Sequence, residues 1–158
     1  GPGPIIVDAG GTGHYTKIQD AIDNATAGNT IRVWAGTYEE DIDIGKKLTL
    51  IGNGTSSSII EGTGGGDDVI DITASGVYLS GFRVIAYGEG YGIYLSGSNS
   101  TVNDCKIGGP DDDANEDAGV YVSGSNNTLS NSIVEMNEYY GILVPGSNNL
   151  IINKVCAR

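Results

Sequence analysis

Short runs in which apolar and polar residues alternate fill most of the chain after Asn29. Residues 92–99, 119–126 and 141–148 are three copies of one such pattern. Each copy holds two aliphatic residues two positions apart, then a Gly-Ser-Asn turn, and a second apolar run follows. Alternation with a period of two, bounded by turn residues, predicts strand, turn and strand in each copy.

Aligning the strands places their apolar residues in columns. The first two columns are Ile42, Ile70, Ile93, Val120, Ile142 and Ile44, Ile72, Leu95, Val122, Val144. The third is Leu50, Leu79, Val102, Leu129, Ile151, and a shorter fourth is Val84, Ile107, Val134, Cys156. Members of the third column are separated by 29, 23, 27 and 22 residues, so the basic period is 22 or 23 with loop insertions.

This period predicts an all-β solenoid, because one coil cannot bury its apolar residues until another coil stacks on it. Three short strands per repeat predict a parallel β-helix of about five coils, with like residues stacked about 4.8 Å apart. A leucine-rich repeat would need a helical half in each repeat, and a propeller blade would need four antiparallel strands.

A single helix is predicted before the coils. Thr16 and Gln19 have the spacing of a capping box, Gly28 is placed to end the helix, and an apolar stripe lies between them at Ile18, Ala21, Ile22 and Ala25. So short a helix is marginal alone and must pack on the strands that follow.

Asparagine recurs at fixed positions of the turns. Asn99, Asn126 and Asn148 share one position, and Asp104, Asn131 and Asn153 share another. Asn tolerates left-handed backbone, and its amide can bond to the neighbouring coils, so we expect ladders at these corners.

Composition narrows the class of protein. The formal net charge is −12, which excludes nucleic acid as a partner, and no run of residues is long enough for a membrane span. Cys105 and Cys156 have no metal-ligand spacing, so two thiols and one disulfide both stay open. We assign residues 1–9 to a tag remnant and lead-in strand and residues 10–36 to an N-terminal cap with a helix over about 16–26. Residues 37–158 are assigned to coils, truncated or open at the C-terminal end.

Four segments resemble the N-terminal cap and first coil of pectin-lyase-like right-handed parallel β-helix proteins: 14–22, 28–31, 35–38 and 46–52. The Gly-Ile-Tyr-Leu-Ser-Gly-Ser-Asn pattern resembles the repeats of NosD-type and carbohydrate-binding and sugar-hydrolase (CASH) modules. The resemblance implies that the helix covers the open N-terminal end of the barrel. It also implies a secreted, periplasmic or cell-surface setting and sugar ligands.

One outward column carries candidate binding chemistry: Asp43, Asp71, Tyr94, Tyr121 and Leu143. Tyrosine rings stack on pyranose faces and carboxylates bond to hydroxyl groups, so we expect a carbohydrate site at Asp43, Asp71, Tyr94 and Tyr121. Catalysis would need a positioned acid and base, or a base beside a cation, and the basic residues of the coils are scattered.

An acidic insertion accounts for the 27-residue spacing. Its oxygen ligands alternate along the chain at Asp111, Asp113, Asn115 and Asp117, with Glu116 beside them. This spacing suits Ca²⁺, but Glu116 stands where an EF-hand needs Gly, and Val122 stands where it needs Glu. We expect either a looser calcium site or a solvated loop.

Our first hypothesis is a non-catalytic extracellular or cell-surface module that acts as a scaffold or glycan-binding element and is stabilised by calcium. The alternative is a fragment or relative of a polysaccharide lyase or glycoside hydrolase acting on acidic sugars. A third hypothesis is end-to-end self-association through an open C-terminal coil.

Overall fold

The computed structural model describes residues 3–88, 90–110, 118–153 and 156–157. It contains one helix, α1 (Ile18–Asn24), and short strands that pair only in parallel. The strands are β1 (Ile5–Val7), β2 (Thr30–Val33), β3 (Gly36–Glu39), β4 (Ile42–Ile44), β5 (Thr49–Gly52), β6 (Ser58–Glu61), β7 (Ile70–Ile72), β8 (Tyr78–Ser80), β9 (Arg83–Ile85), β10 (Ile93–Leu95), β11 (Thr101–Asn103), β12 (Lys106–Gly108), β13 (Ala118–Val122), β14 (Thr128–Ser130), β15 (Ile133–Glu135), β16 (Tyr140–Leu143), β17 (Leu150–Ile152) and β18 (Cys156–Ala157).

Three sheets run along the solenoid. Sheet 1 has the order β1-β2-β5-β8-β11-β14-β17, sheet 2 the order β3-β6-β9-β12-β15-β18, and sheet 3 the order β4-β7-β10-β13-β16. From β2 onward, every third strand in sequence joins the same sheet, so each coil passes through sheets 1, 2 and 3 in turn. The predicted parallel β-helix is confirmed, with about six coils rather than five.

The extra coil comes from residues that the sequence analysis placed in the cap. Ile31 of β2 pairs with Leu50 of β5, so it extends the third apolar column toward the N-terminus. Ile5 of β1 pairs in turn with Ile31. The spacings of 26 residues from Ile5 to Ile31 and 19 residues from Ile31 to Leu50 hid the coil from an alignment based on a 22- or 23-residue period.

The apolar columns fill the bore of the solenoid. Strand register places the predicted members of the first, second and third columns over one another wherever strands pair. Ile44, Ile70, Ile72, Leu79 and Ile93 are fully buried. Burying one such side chain contributes roughly 1.5–3 kcal/mol, so the columns are the main source of stability.

The prediction for Cys156 in the fourth column is wrong by one residue. Val134 pairs with Ala157, and Cys156 pairs with Ile133. The chain takes three residues between β17 and β18 but two between β14 and β15, which shifts the register by one.

The helix is shorter than predicted and is capped differently. Lys17 is the N-cap residue and makes no side-chain capping bond. The prediction of a capping box formed by Thr16 and Gln19 is therefore wrong. The carboxylate of Glu40 accepts hydrogen bonds from the backbone N–H groups of Ile18 (2.8 Å) and Gln19 (3.0 Å) instead. An anion at this end of a helix also interacts favourably with the helix dipole.

The other end of α1 is held by Lys46. Its ammonium group donates to the carbonyl oxygens of Ile22, Asp23 and Ala25 at 2.7–3.0 Å. Between these two caps, the Gln19 amide bonds to both the N–H (2.8 Å) and the carbonyl (3.2 Å) of Asp43 in β4. The helix therefore covers the outer edge of sheet 3, as the family resemblance implied.

The Gly-Ser-Asn turns owe their sequence to close packing between coils. A Cβ atom on Gly97, Gly124 or Gly146 would collide with a carbonyl oxygen of the preceding coil. The Asn that follows has left-handed backbone, with φ of 56° at Asn99, 59° at Asn126 and 57° at Asn148, as predicted. Asp104, Asn131 and Asn153 are left-handed as well.

The side-chain ladder at this corner lies one residue later than predicted. Asn127 and Asn149 accept hydrogen bonds from the backbone N–H groups of Ser100 and Asn127, each at 2.9 Å. Asn127 also donates to the Gly97 carbonyl and is only 2% exposed. The turn Asn supplies backbone conformation, and its neighbour supplies the bonds between coils.

No helix in the described parts of the chain is long and apolar enough to cross a membrane.

Candidate functional site

The predicted outward column exists on sheet 3. Asp43 pairs with Asp71, Asp71 with Tyr94, Tyr94 with Tyr121, and Tyr121 with Leu143. Their side chains alternate with the buried columns, so all point away from the bore. The sequence thus identified which residues share this face, and their role in binding stays a prediction.

Three tyrosine rings form a cluster on this face. The rings of Tyr94 and Tyr121 are stacked, with centroids 5.1 Å apart and planes 6° apart. Tyr91, in the turn before β10, lies 4.8 Å from Tyr121 and 5.6 Å from Tyr94. We call Tyr91, Tyr94 and Tyr121 the tyrosine cluster. Stacking of the rings on one another fixes their orientation and commits part of their faces, which leaves the ring edges of Tyr94 and Tyr121 for a ligand.

A carboxylate group adjoins the tyrosine cluster. Asp71, half-buried at the middle of β7, lies within hydrogen-bonding reach of the carboxyl groups of Asp68 and Asp43. Asp68 in turn accepts a 2.7 Å hydrogen bond from the backbone N–H of Tyr91. We call Asp43, Asp68 and Asp71 the carboxylate group. The bond between Asp68 and Tyr91 joins it to the tyrosine cluster.

Burial raises the pKa of Asp71 to about 7, and the negative charges of Asp68 and Asp43 add to the effect. The Asp71 carboxyl is thus partly protonated near neutral pH. Asp71 therefore donates as well as accepts hydrogen bonds near pH 7, which suits a ligand rich in hydroxyl groups.

Basic side chains of the described residues lie elsewhere. Lys106 forms an ion pair with Glu135 (3.1 Å) on sheet 2, and Lys46 is bonded to the helix. Within the described ranges, no ion pair involves Asp43, Asp68 or Asp71. Partial protonation of Asp71 therefore reduces the negative charge of the carboxylate group.

The sequence analysis missed Tyr91 and Asp68. Both lie in turns, outside the alternating pattern that identified the outward column. Tyr91 immediately precedes Gly92 of the repeat. The only signal in the sequence was the presence of three tyrosines, Tyr91, Tyr94 and Tyr121, within 31 residues.

The predicted calcium ligands Asp111, Asp113, Asn115, Glu116 and Asp117 lie outside the described residues. Among the residues that are described, no group of three or more His, Cys, Asp or Glu side chains is arranged to hold a metal ion.

Cys105 is a free thiol inside the solenoid. It donates weakly to the carbonyl of Asn103 (3.4 Å), and burial raises its pKa to about 12. A thiol that stays protonated is a structural residue rather than a nucleophile.

Comparisons with known proteins agree with the fold. The family model described as "Right handed beta helix region" matches residues 56–158. A "Cell surface glycoprotein" of Methanothermus fervidus is 38% identical over 103 residues, which cover 60% of this chain and 17% of that protein. "Probable pectinesterase 55" of Arabidopsis thaliana is 40% identical over 67 residues, which cover 38% of this chain and 20% of that protein. The chain thus spans about a fifth of the length of each of these relatives.

Solved structures add two neighbours. Pectin methylesterase PemA from Erwinia chrysanthemi superposes with a TM-score of 0.68 at 18% identity, covering 84% of this chain and 49% of that one. The carrot pectin methylesterase gives a TM-score of 0.63 at 17% identity, covering 96% of this chain and 65% of that one. At such identities the likeness establishes the fold alone. With the family model matching more than half of its length, the chain belongs to the right-handed β-helix family, of pectin-lyase-like architecture.

Proposed function

We propose that this chain is a non-catalytic β-helix module of a cell-surface protein and that the outer face of sheet 3 binds glycan chains. The observation that carries the proposal is the tyrosine cluster directly beside the carboxylate group on one outward face. Aromatic rings contribute apolar contact to sugars, and carboxyl groups bond to their hydroxyl groups. The likeness to a protein named as a cell surface glycoprotein supports the proposed location.

Several features favour binding over catalysis. A lyase needs a base beside a cation that neutralises the substrate, and the carboxylate group has no ion-paired cation within the described ranges. The carboxyl groups are also hydrogen-bonded to one another rather than held apart around a substrate. An acidic face repels polyuronates, so neutral glycans are the expected ligands.

A glycan array probed with this chain, with and without Ca²⁺, tests the proposal. Tyr94→Ala should weaken binding of the best neutral glycan at least tenfold, or about 1.4 kcal/mol. Tyr78→Ala is the matched control, because Tyr78 is 37% exposed on the outer face of sheet 1. Equal losses from both variants, or no glycan bound, would contradict the proposal.

A glycoside hydrolase or polysaccharide lyase is the second candidate, and the raised pKa of Asp71 is what favours it. A protonated carboxyl beside an ionised one is the arrangement of many glycosidases. Release of reducing sugar or unsaturated product from an array-positive polysaccharide, abolished by Asp71→Asn, would establish it.

We also propose that the acidic segment 111–117 binds Ca²⁺. Alternate oxygen ligands at Asp111, Asp113, Asn115 and Asp117 support this. A calcium titration should raise the melting temperature of the chain, and Asp113→Asn combined with Asp117→Asn should remove the increase. An unchanged melting temperature at millimolar Ca²⁺ would refute it.

A further inference from the structure

Four Asn residues in this chain are followed two positions later by Thr with no intervening Pro. The triplets are Asn24-Ala25-Thr26, Asn53-Gly54-Thr55, Asn99-Ser100-Thr101 and Asn126-Asn127-Thr128. This is the acceptor pattern for N-linked glycosylation, which acts only where the Asn amide is accessible. The last two triplets lie one coil apart in the repeated turn.

The amides of Asn99 and Asn126 face solvent at the corner between sheets 3 and 1. Both side chains are exposed, and no hydrogen bond from a described residue engages either amide. Left-handed backbone at both residues turns the side chain outward. Their amide nitrogens are therefore available to an enzyme.

Neighbouring residues make this exposure possible. Bonds between coils at this corner are made by Ser100 and Asn127, which are 1% and 2% exposed. Replacement of the amide hydrogen of Asn99 or Asn126 by a sugar would thus break no bond of the fold. Asn24 differs, because its amide already donates to the Asp20 carbonyl at 2.8 Å.

The hydroxyl residue of each triplet is also in a repeated position. Thr101 and Thr128 open β11 and β14, pair in register, and are only partly buried. Both triplets therefore present the same amide and hydroxyl geometry, one coil apart.

We propose that Asn99 and Asn126 are acceptor sites for N-linked oligosaccharides. The donor is a glycosyl phosphate or diphosphate supplied by a transferase. The Asn amide nitrogen forms a bond to the anomeric carbon, the bond from that carbon to the phosphate oxygen breaks, and the phosphate leaves with the electron pair. The amide proton passes to a base of the transferase, so no oxidant or reductant is needed.

The third copy of the turn is an internal control. Asn148 is exposed and has the same backbone conformation, with φ of 57°, but Leu150 stands where the other copies have Thr. Asn126-Asn127-Thr128 and Asn148-Asn149-Leu150 differ at that one residue. The proposal requires the first to be modified and the second to stay free.

The test is expression of the full chain through the secretory pathway of a host with an N-glycosylation system, followed by peptide mass spectrometry. We expect oligosaccharide on the peptides containing Asn99 and Asn126 and none on Asn148. Thr101→Val should abolish modification at Asn99 only, and Thr128→Val at Asn126 only. Leu150→Thr should create modification at Asn148.

Valine has nearly the shape of threonine, so these variants should fold. The melting temperatures of the unmodified proteins, expressed in a bacterial cytoplasm, check this. Unmodified Asn99 and Asn126 in a host that fully glycosylates a co-expressed reporter would overturn the proposal. Modification that persists in the valine variants would overturn it as well. The proposal does not depend on whether sheet 3 binds glycans.

Discussion

Sheets 1 and 3 share the same coils and the same kind of interior but present opposite chemistry to solvent. In the two coils of β10–β11 and β13–β14, sheet 3 carries the stacked pair Tyr94 and Tyr121, whereas sheet 1 carries Thr101 and Thr128. The outward positions of sheet 1 from β5 to β17 hold no charged residue: Thr49, Ile51, Tyr78, Ser80, Thr101, Asn103, Thr128, Ser130, Leu150 and Ile152.

The two faces also differ in how their polar groups are used. On sheet 1, Asn103 bonds to Tyr78, Ser80, Ser130 and Asn131, so its hydrogen-bonding groups are committed within the protein. On sheet 3, burial and the neighbouring carboxylates raise the pKa of Asp71, so its ionisation lowers stability. Polar residues that stabilise the fold and polar residues kept at a cost can thus be distinguished on one scaffold, and the second kind marks a candidate site.

The largest effect should come from the interior that both faces share. Ile72 of β7 and Leu79 of β8 are both fully buried. Ile72→Ala and Leu79→Ala should each destabilise the chain by about 2–5 kcal/mol, because each leaves a cavity between stacked coils. Urea unfolding of both variants measures this. A much smaller loss of stability in one of the two variants would mean that the two sheets do not share one cooperative core.

The next largest effect concerns pH and should appear on sheet 3 alone. The pKa of Asp71 is near 7 when folded and near 3.8 when unfolded, so the folded state holds the proton more tightly. The contribution of Asp71 is therefore greatest below pH 4 and is lost as pH rises toward 7. Asp71→Asn should remove this loss and stabilise the chain at pH 8 by about 1–2 kcal/mol, a range reduced for partial solvent screening.

Melting temperatures of Asp71→Asn and the parent chain between pH 4 and pH 8 provide the measurement. Thr101→Val on sheet 1 is the control, since no group on that face titrates in this range. If Asp71→Asn melts below the parent at pH 8, the proposed cost of the carboxylate group is contradicted.

A smaller difference is expected between the two outward pairs in the same coils. A double-mutant cycle on Tyr94→Ala and Tyr121→Ala should give a coupling of about 0.5–1.5 kcal/mol from ring stacking. The equivalent cycle with Thr101→Ala and Thr128→Ala should give a few tenths of a kcal/mol, near the lower end for cross-strand pairs. Equal couplings would show that the tyrosine cluster is not preformed.

The smallest effect should come from the hydrogen-bond ladder on sheet 1. Asn103→Ala should cost about 0.5–1 kcal/mol, because the partners of Asn103 lie near the surface and water can replace part of the lost bonds. Glycan binding should be unchanged. Thermal unfolding measures the stability of Asn103→Ala, and the glycan array measures its binding. Reduced binding would extend the site to sheet 1.

The columns could be predicted because a solenoid converts a long-range property into a local period. Ile70, Ile93 and Val120 stack because each coil must bury the same positions, and that requirement is visible in the sequence. The outward column of Asp71 and Tyr94 followed from the same alternation.

What escaped prediction lies where the period is interrupted. Glu40 and Lys46 cap the helix from residues more than twenty positions away, and no local pattern indicates such contacts. Asp68 and Tyr91 reach the site from turns, whose geometry is set by the coils on either side. The extra residue before Cys156 changed its register without changing the residue types around it.

The contact between Gln19 and Asp43 closes the N-terminal edge of sheet 3. A strand edge normally offers free N–H and carbonyl groups that recruit another strand, and the Gln19 amide occupies both of these groups on Asp43. One side-chain amide thus makes the two hydrogen bonds that the backbone of a further strand would make, and sheet 3 ends at β4. A Gln19→Leu variant would expose that edge, making it a template on which a second chain could nucleate.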